Sequence, residues 1–215
     1  MADVGNGPGR RRRSNGDESR ERILDAASEI ASMRGYSGTS IAAVSKVSGL
    51  PPSSIYWHFA DKDDLLAAVI ERSYGAWVAV VTSPLGAEDG NYAHVLAQQA
   101  LRSLRAAPDF LRLGLMLVLE HRPEEPKARA MYLQVRDGAR SLIRENLRSH
   151  YPDLDDRSVQ LLANYALATA DGLFVAGEAS NLEDDLPAQF DLLATSISQL
   201  AEQLGQTSSN RKETP

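Results

Sequence analysis

The sequence predicts an all-α protein in which a small amino-terminal helical module precedes a larger helical domain. Beyond Pro84, apolar residues recur at the three- and four-residue spacing of helices, and prolines separate the segments at positions 108, 123, 126, 152 and 187. No run alternates apolar and polar residues for long enough to form a strand. Residues 111–119 are apolar on nearly every side, which indicates a helix surrounded by others.

Composition excludes several classes of protein. The 215 residues include no cysteine, which excludes a disulfide framework, a thiol nucleophile and a cysteine-ligated zinc site. With 43% hydrophobic residues the chain is too apolar to stay disordered. Its longest strongly apolar stretch, residues 111–119, is far shorter than the roughly 20 residues of a membrane-spanning helix. No apolar run follows the arginines near the amino terminus, so we expect no signal peptide and a soluble cytoplasmic protein.

The net charge of −6 is unevenly distributed along the chain. Residues 1–72 contain ten basic and ten acidic residues, whereas residues 73–215 contain 13 basic and 19 acidic ones. An amino-terminal region that is neutral overall can still bind phosphate if its acidic residues face elsewhere. An acidic total charge therefore does not exclude nucleic acid as a partner.

Four segments follow from these patterns. Residues 1–16 carry four consecutive arginines and almost nothing apolar, and we expect them to form a flexible basic arm. We expect a helical module over residues 17–66, a larger helical domain over residues 67–205, and a disordered polar tail over residues 206–215.

Local signals place the first two helices of the module. Apolar residues recur at helical spacing from Asp17, and Gly35 is positioned to end that helix. Thr39 and Ser40 are N-cap residue types in front of a second helix. Gly49 closes this helix after barely two turns.

The third and fourth helices follow directly. Pro52 suits the first turn of a short third helix that carries Trp57. Asp61 then caps a longer fourth helix, which Pro84 ends. Six apolar residues at helical spacing are expected to form the core of the module: Ile41, Val44, Val47, Ile55, Phe59 and Leu65.

Two short helices joined by a glycine turn form a helix-turn-helix of the kind that places its second helix in the DNA major groove. The amino-terminal signature of the TetR family of bacterial transcriptional regulators resembles, without a gap, the residues Gly35-Tyr36, Gly38-Thr39-Ser40-Ile41, Gly49-Leu50, Ile55-Tyr56-Trp57-His58-Phe59, Lys62 and Leu65-Leu66. The rest of the chain resembles the family in length and helical pattern only.

This resemblance implies phosphate contacts by Thr39, Ser40, Tyr56, His58 and Lys62. The residue types agree, because hydroxyls, helix N-termini and a lysine bind a nucleic-acid backbone without reading its sequence. His58 has a second interpretation, in which it only caps or packs. Trp57 is expected to be exposed, since a buried indole N–H would have no evident partner.

The reading helix departs from the family pattern. Pro51, Pro52 and Ser53 stand where the family more usually has a small polar residue, a basic or polar residue and a glycine. No Arg, Lys, Asn or Gln lies between Gly49 and Trp57, so the side chains that make bidentate base contacts are missing. Weaker base contacts would come from Pro52, Ser53, Ser54 and Trp57.

The arginine run is the candidate for compensating this weak readout. Insertion into the adjacent minor groove would use Arg10, Arg11, Arg12 and Arg13. The alternative is a solvated run that binds phosphate without specificity.

Two seams in the larger domain are interpreted as a homodimer interface, because small or apolar residues alternate at spacings of three and four. The first seam is Ala163, Ala166, Ala170, Leu173 and Gly177. The second is Phe190, Leu193, Ile197, Leu200 and Leu204. The resemblance also implies a two-fold four-helix interface, and the alternative is that both faces pack within the monomer.

Polar and aromatic residues within apolar helices are the candidates for binding a small-molecule effector. They are Trp77, Tyr92, His94, Phe110, Met116, Glu120, His121, Tyr132, Tyr165, Asp171 and Phe174. Asp171 has the best case, since a buried carboxylate must be paired, capped or ligand-facing; pairing with an arginine is the alternative. The histidines do not have His-x-x-x-His spacing, so we expect no metal, no cofactor and no enzyme.

These observations predict a homodimeric, ligand-responsive transcriptional regulator, specifically a repressor that binds a double-stranded DNA operator. The effector would stabilise a spacing of the two reading helices that no longer matches half-sites about 34–36 Å apart. The alternative is a helical small-molecule binding protein of the same fold with weak or lost operator recognition. Pro51, Pro52 and the acidic total charge favour that alternative.

Overall fold

The computed structural model describes residues 8–81, 92–106, 108–120, 126–180 and 184–212. All regular structure in these residues is helical, which confirms the all-α prediction. The helices are α1 (Pro8–Gly38), α2 (Ile41–Ser48), α3 (Pro52–His58), α4 (Lys62–Val81), α5 (Tyr92–Ala106), α6 (Pro108–Leu119), α7 (Lys127–His150), α8 (Asp156–Ala179) and α9 (Leu186–Lys212).

Both ends of the described chain contain more helix than the sequence predicts. Helix α1 begins at Pro8 rather than at Asp17, so residues 10–13 are helical. Arginine is a good helix former and proline suits a first turn, which explains the extension. At the other end, residues 206–212 of the expected tail belong to α9. The mobility of the arm stays a prediction, and residues 1–7 and 213–215 lie outside the described residues.

The chain divides into two compact units, Met1–Tyr74 with Asp109–Leu133 and Gly75–Pro108 with Gln134–Pro215. The expected module of residues 17–66 lies wholly in the first unit, which also contains most of α6 and the start of α7. The boundary expected after residue 66 therefore differs from the division in the structure. Packing between distant segments decides which helices share a core, and local patterns carry no signal for it.

The core of the first unit is built from α1 to α4. Val44, Ile55, Phe59 and Leu65 are buried as expected. Val47 is 49% exposed, so its place in the predicted core was wrong.

Helix α1 bends near its end, where Gly35 has φ 64° and ψ −173°. The Thr39 hydroxyl donates to the Gly35 carbonyl oxygen at 2.8 Å and closes this bend. A Cβ at position 35 would also lie 3.1 Å from the Met116 sulfur of α6. The bend is therefore fixed both by backbone conformation and by the packing of α6.

Helix α6 was predicted to be surrounded by other helices, and the described part of the structure corrects this. Leu113 and Leu117 are buried, but Met116 is 40% and Leu119 80% exposed. On the packed side of the helix, Gly114 permits close approach of the Tyr132 ring, which a Cβ there would overlap.

The second unit packs α5, the later part of α7, α8 and α9 around one cluster that includes Leu101, Leu147, Leu162 and Phe190. The Asp155 carboxylate accepts a hydrogen bond from the Ser158 amide at 2.7 Å and caps α8. By length and composition alone, helix α8 is long and apolar enough to cross a membrane. Only 28% of its most apolar stretch is buried within the protein. A packing helix with an uncovered apolar face passes the same test.

Candidate functional site

The helix-turn-helix forms where the sequence predicts it. The Ser40 hydroxyl accepts from the Ala43 amide at 3.2 Å and caps α2. Gly49 ends α2 in the left-handed conformation, at φ 68°. After Pro51, helix α3 begins with Pro52 in its first turn.

Helix α3 presents one face to solvent. Ile55 is fully buried against the module, whereas Tyr56 is 57% and Trp57 75% exposed. Pro52 and Ser53 are exposed one turn earlier, on the same side of the helix as Tyr56 and Trp57. The prediction that Trp57 is exposed is confirmed, and these four residues form the outward face of α3.

The turn before α3 is held by side chains of α1 and α2. A guanidinium nitrogen of Arg22 donates to the Ser48 carbonyl oxygen at 2.6 Å. The Ser45 hydroxyl donates to the Leu50 carbonyl oxygen at 2.7 Å, and the Leu50 amide donates to the Ser48 hydroxyl at 3.3 Å. Two carbonyl groups of the turn that have no helical partner are thereby satisfied.

The end of α3 contacts the same helix α1. His58 Nε2 lies 3.0 Å from Ser19 Oγ, and that hydroxyl donates to the Gly16 carbonyl oxygen at 2.9 Å. A hydroxyl has a single proton, so His58 is the donor in the first contact. Burial lowers the pKa of His58, and Arg20 lowers it further while Asp17 opposes the shift. These contacts fit the interpretation in which His58 packs against α1.

Of the other residues expected at phosphates, Thr39 is not available. It is 1% exposed and its hydroxyl donates to Gly35, so the implied side-chain contact was wrong. Ser40 and Tyr56 are exposed. The Lys62 ammonium donates to the Tyr36 carbonyl oxygen at 3.1 Å and lies 4.1 Å from the centroid of the Tyr36 ring.

Sequence reasoning missed the residues of α1 that contact the end of α3 and the end of α2. Ser19 and Arg22 lie three residues apart and therefore share one side of α1. Their position beside the buried residue Ile23 is the signal that points to a face against the module. The Arg10, Arg11, Arg12 and Arg13 side chains lie outside the described part of the structure.

The predicted dimer seams face inward, which corrects that prediction. Four of their residues, Ala163, Phe190, Leu193 and Ile197, are buried in the core of the second unit. The remaining residues that pack against this core are Ala166, Ala170, Leu173, Leu200 and Leu204. Gly177 faces Leu186 within the unit. The period of each seam was right, but it marks the monomer core.

The opposite face of α8 is the one left uncovered. Leu161 is 54%, Tyr165 42% and Val175 50% exposed. Between them Ala168 is exposed, and a Cβ at Gly172 would meet nothing within 4 Å. We call these five residues, at alternating spacings of four and three, the outer face of α8. Tyr165, predicted to bind ligand, belongs to this face instead.

The effector candidates of the first unit make two groups of contacts. Phe110 and Tyr132 are buried with ring centroids 5.6 Å apart. Met116 lies against Gly35, and Glu120 accepts a hydrogen bond from the Ser37 hydroxyl at 3.1 Å. Met116 and Glu120 thus contact the end of α1. His121 lies outside the described residues.

In the second unit Asp171 is paired, as the alternative interpretation held. Both its carboxylate oxygens accept hydrogen bonds from Arg136, and the two side chains are each 20% exposed. Burial raises the pKa of Asp171 although Arg136 opposes that shift. The pair satisfies the carboxylate, so an effector is not needed to explain its burial.

The remaining candidates of the second unit are Trp77, Tyr92, His94 and Phe174. The Tyr92 ring stacks on His150 with centroids 3.4 Å apart, and burial raises the pKa of Tyr92 to about 12. Phe174 is 8% exposed, and the buried Nδ1 of His94 has no hydrogen-bond partner among the described residues. A cleft of about 590 Å³ in this unit lies beside Tyr151 and Glu202, and none of these candidates lines it.

Comparisons with known proteins agree with this geometry. Residues 23–69 match the family model described as bacterial regulatory proteins, tetR family. The HTH-type transcriptional regulator AcrR of Shigella flexneri is 39% identical over 64 residues, which are 30% of this chain and 30% of that protein. The HTH-type transcriptional repressor NemR of Escherichia coli K12 is 29% identical over 75 residues, 35% of this chain and 38% of that protein.

Likeness of fold extends over most of the chain. The structure of the fatty acid degradation regulator FadR from Bacillus halodurans superposes with a TM-score of 0.69. The superposition covers 90% of this chain and 96% of FadR at 18% identity, and so shows a shared fold. The chain matches only about a third of the length of the two curated relatives, 30% and 38%.

Proposed function

Because the chain belongs to the TetR family of bacterial regulatory proteins, we propose that it is a cytoplasmic transcriptional repressor that binds operator DNA as a homodimer and releases it on binding a small-molecule effector. The observation that carries the proposal is the outward face of α3. Tyr56 and Trp57 are exposed on a helix that follows a glycine turn, which is the arrangement by which a helix-turn-helix enters the major groove.

Contacts in this proposal fall into two classes. Ser40 and Tyr56 bind phosphates from the two short helices, and Lys62 does so from the start of α4. Pro52, Ser53, Ser54 and Trp57 contact base edges and thymine methyl groups. Arg10, Arg11, Arg12 and Arg13 add minor-groove or phosphate contacts.

A second copy of the chain covers the outer face of α8. This face contains no charged residue among its five members, and its row of apolar side chains is otherwise left in water. A dimer also presents two α3 helices, which two half-sites about 34–36 Å apart require. The effector acts by favouring a spacing of these helices that no longer fits the half-sites.

The test begins with selection of double-stranded DNA from a random pool by the full-length protein. We expect one enriched palindromic site, bound with an affinity that falls steeply with salt concentration because phosphate contacts release counterions. A reporter gene placed behind this site should be repressed in cells that contain the protein. Enrichment without repression would contradict the repressor role.

Deletion of residues 1–13 sharpens the test. Loss of up to four arginine contacts should reduce the slope of log affinity against log salt by up to about 3.6, at about 0.9 per contact. A matched control replaces the four arginines by glutamine, which keeps the length. An unchanged slope in both variants would show that the arm does not touch DNA.

One observation favours the alternative, a small-molecule binding protein of the same fold without operator recognition. Helix α3 contains no Arg, Lys, Asn or Gln and begins at Pro52. A folded dimer that enriches no DNA sequence, but whose melting temperature rises with compounds from a small-molecule library, would establish this alternative.

A further inference from the structure

Ser19 of α1 contacts the last residue of α3, Arg22 of α1 contacts the end of α2 just before the turn to α3, and we propose that they are the positioning residues on which sequence recognition depends. Arg22 binds the turn in front of α3, through the Ser48 carbonyl oxygen at 2.6 Å. Ser19 binds the last residue of α3, through His58 Nε2 at 3.0 Å. The inference rests on the proposed DNA-binding function and names the residues that set its specificity.

The length of α3 explains why such anchors matter. The helix has seven residues and its N-cap, Pro51, has no side chain that could accept a hydrogen bond. Helices this short are unstable alone, so contacts with other elements must fix both its formation and its direction. The buried Ile55 fixes the middle of α3 against the core, and the two hydrogen bonds fix its rotation about that point.

The side chains that α3 presents make sequence recognition more dependent on the position of this helix. Arginine and glutamine have long side chains, which can change rotamer and so follow a base edge when the helix shifts slightly. Pro52 and Trp57 contact bases only through fixed apolar surfaces, and Ser53 has a short side chain. A shift of α3 therefore removes these contacts without compensation.

A second set of contacts supports the anchor at the end of α3. The edge of the Trp57 ring lies 3.7 Å from where a Cβ of Gly16 would stand. The Arg20 guanidinium lies 5.6 Å from the centroid of the Phe59 ring. Gly16 and Ser19 contact the last two residues of α3, and Arg22, one turn further along α1, contacts the end of α2.

Arg22 itself has two possible roles on DNA, and they leave different signatures. A phosphate contact contributes equally to every sequence and to the salt dependence of binding. A positioning residue affects the selected site and leaves both random-sequence affinity and the salt slope unchanged. The distance of 2.6 Å to Ser48 commits one guanidinium nitrogen to the turn, which is the positioning role.

The experiment compares Arg22→Met and Ser19→Ala with wild type, on the DNA site that the wild-type protein selects and on random DNA. Arg22→Met should lower affinity for the selected site about tenfold, the effect of losing one hydrogen bond to a charged group, and random-DNA affinity less than about twofold. Ser19→Ala should have a smaller effect of the same kind. Arg22→Lys, which keeps a donor, should recover part of the loss.

Matched controls lie on the same helix. Arg34→Met removes an exposed arginine, and Ser32→Ala removes a hydroxyl that donates only to the Glu29 carbonyl oxygen of α1. Neither should change the ratio of selected-site to random-DNA affinity. Hydrogen exchange of the free variants adds a readout that requires no DNA: the Ser54 amide, which donates to the Pro51 carbonyl oxygen, should exchange faster in Arg22→Met only.

Three results would overturn the inference. The first is an equal loss of affinity on both DNAs with a salt slope reduced by about one, which would mark a phosphate contact. The second is an unchanged ratio of selected-site to random-DNA affinity. The third is an unchanged rate of hydrogen exchange at the Ser54 amide in Arg22→Met. If the wild-type protein selects no site, the proposed function fails first. In that case hydrogen exchange at Ser54 still decides whether Arg22 anchors the start of α3.

Discussion

Helix α3 has seven residues and no side-chain cap, whereas α8 has 24 residues and is capped at its start by the Asp155 carboxylate. The short helix depends on two hydrogen bonds with α1, one between His58 and Ser19 at its end and one from Arg22 to Ser48 ahead of the turn that precedes it. The long helix packs one side into a core and leaves the other side in water. Perturbing α3 should therefore change recognition through single hydrogen bonds, whereas perturbing α8 should change assembly or folding according to the side that is altered.

The largest effect is expected from Gly172→Arg on the outer face of α8. A Cβ here would meet no atom within 4 Å among the described residues, so the monomer should keep its helix content. Between two copies, the added charge and bulk should weaken the dimer by several kcal/mol, roughly a hundredfold or more. Light scattering after size exclusion should show a monomer, and affinity for the selected DNA site should collapse.

Ala163→Arg is the matched control on the inner side of α8. Ala163 is fully buried, so this substitution should unfold the second unit and reduce the circular dichroism signal. A Gly172→Arg protein that remains dimeric would place the interface elsewhere. If both variants behave alike, the two sides of α8 are not distinct and the comparison with α3 fails.

The next effect concerns the pair of Asp171 with Arg136 in the second unit. Asp171→Ala leaves a mostly buried guanidinium without its carboxylate and should lower the free energy of unfolding by about 2–3 kcal/mol. Asp137→Ala breaks the more exposed pair with Arg140, in which the aspartate is 72% exposed, and should cost less than about 1 kcal/mol. Urea denaturation measures both.

A double variant, Arg136→Met with Asp171→Leu, separates pairing from burial. Desolvation raises the pKa of Asp171, so ionising this carboxylate costs more free energy in the folded protein than in the unfolded chain. Replacing both partners by apolar residues should then recover most of the stability lost in Asp171→Ala. A double variant no more stable than Asp171→Ala would indicate that packing around the pair, and not the charge, is what matters.

Tyr56→Ala tests a contact that α3 makes directly rather than the anchors that hold it. Loss of a phosphate contact should weaken binding to the selected site and to random DNA alike, by about tenfold. Tyr56→Phe, which keeps the ring, isolates the hydroxyl. Fluorescence anisotropy should give parallel losses on both DNAs, in contrast to Arg22→Met; a loss confined to the selected site would make Tyr56 a base reader.

The smallest effect is expected from the titration of His58 at the end of α3. Its folded-state pKa lies below the ordinary 6.5, so between these two values the unfolded chain binds more protons. The contribution of neutral His58 to the free energy of unfolding is therefore fully present above pH 6.5. It is lost as the pH falls through the folded-state pKa. His58→Gln should flatten this dependence, measured as urea midpoints at about pH 5.5 and 7.5. An equally steep dependence in the variant would assign it to another group.

The sequence predicts those parts of the fold that one residue type decides on its own backbone. Ser40, Gly49 and Pro52 each act locally, and α2, the turn and the start of α3 lie where these residues place them. Thr39 and Ser40 show the limit of such reasoning. Both have hydroxyls suited to phosphate, and only the bend at Gly35 determines that Thr39 points inward.

The dimer seams show the same limit in a long helix. Small and apolar residues occupy two sides of α8 at the same period, so the pattern through Ala163 and Ala170 and the pattern through Leu161 and Val175 are equally helical. Which side packs against α5 and α9 depends on contacts between residues distant in sequence. Periodicity predicts the number of faces, and packing decides which of them is the core.

The bend at Gly35 has a consequence for mutational scanning of this chain. At φ 64° and ψ −173° only glycine adopts the backbone conformation without strain. A Cβ at this position would also lie too close to the Met116 sulfur. A saturation library selected for repression should therefore be depleted at position 35 as strongly as at a residue that touches operator. Fitness scores alone would count Gly35 among the DNA contacts, although it lies at the far end of α1 from Ser19 and Arg22.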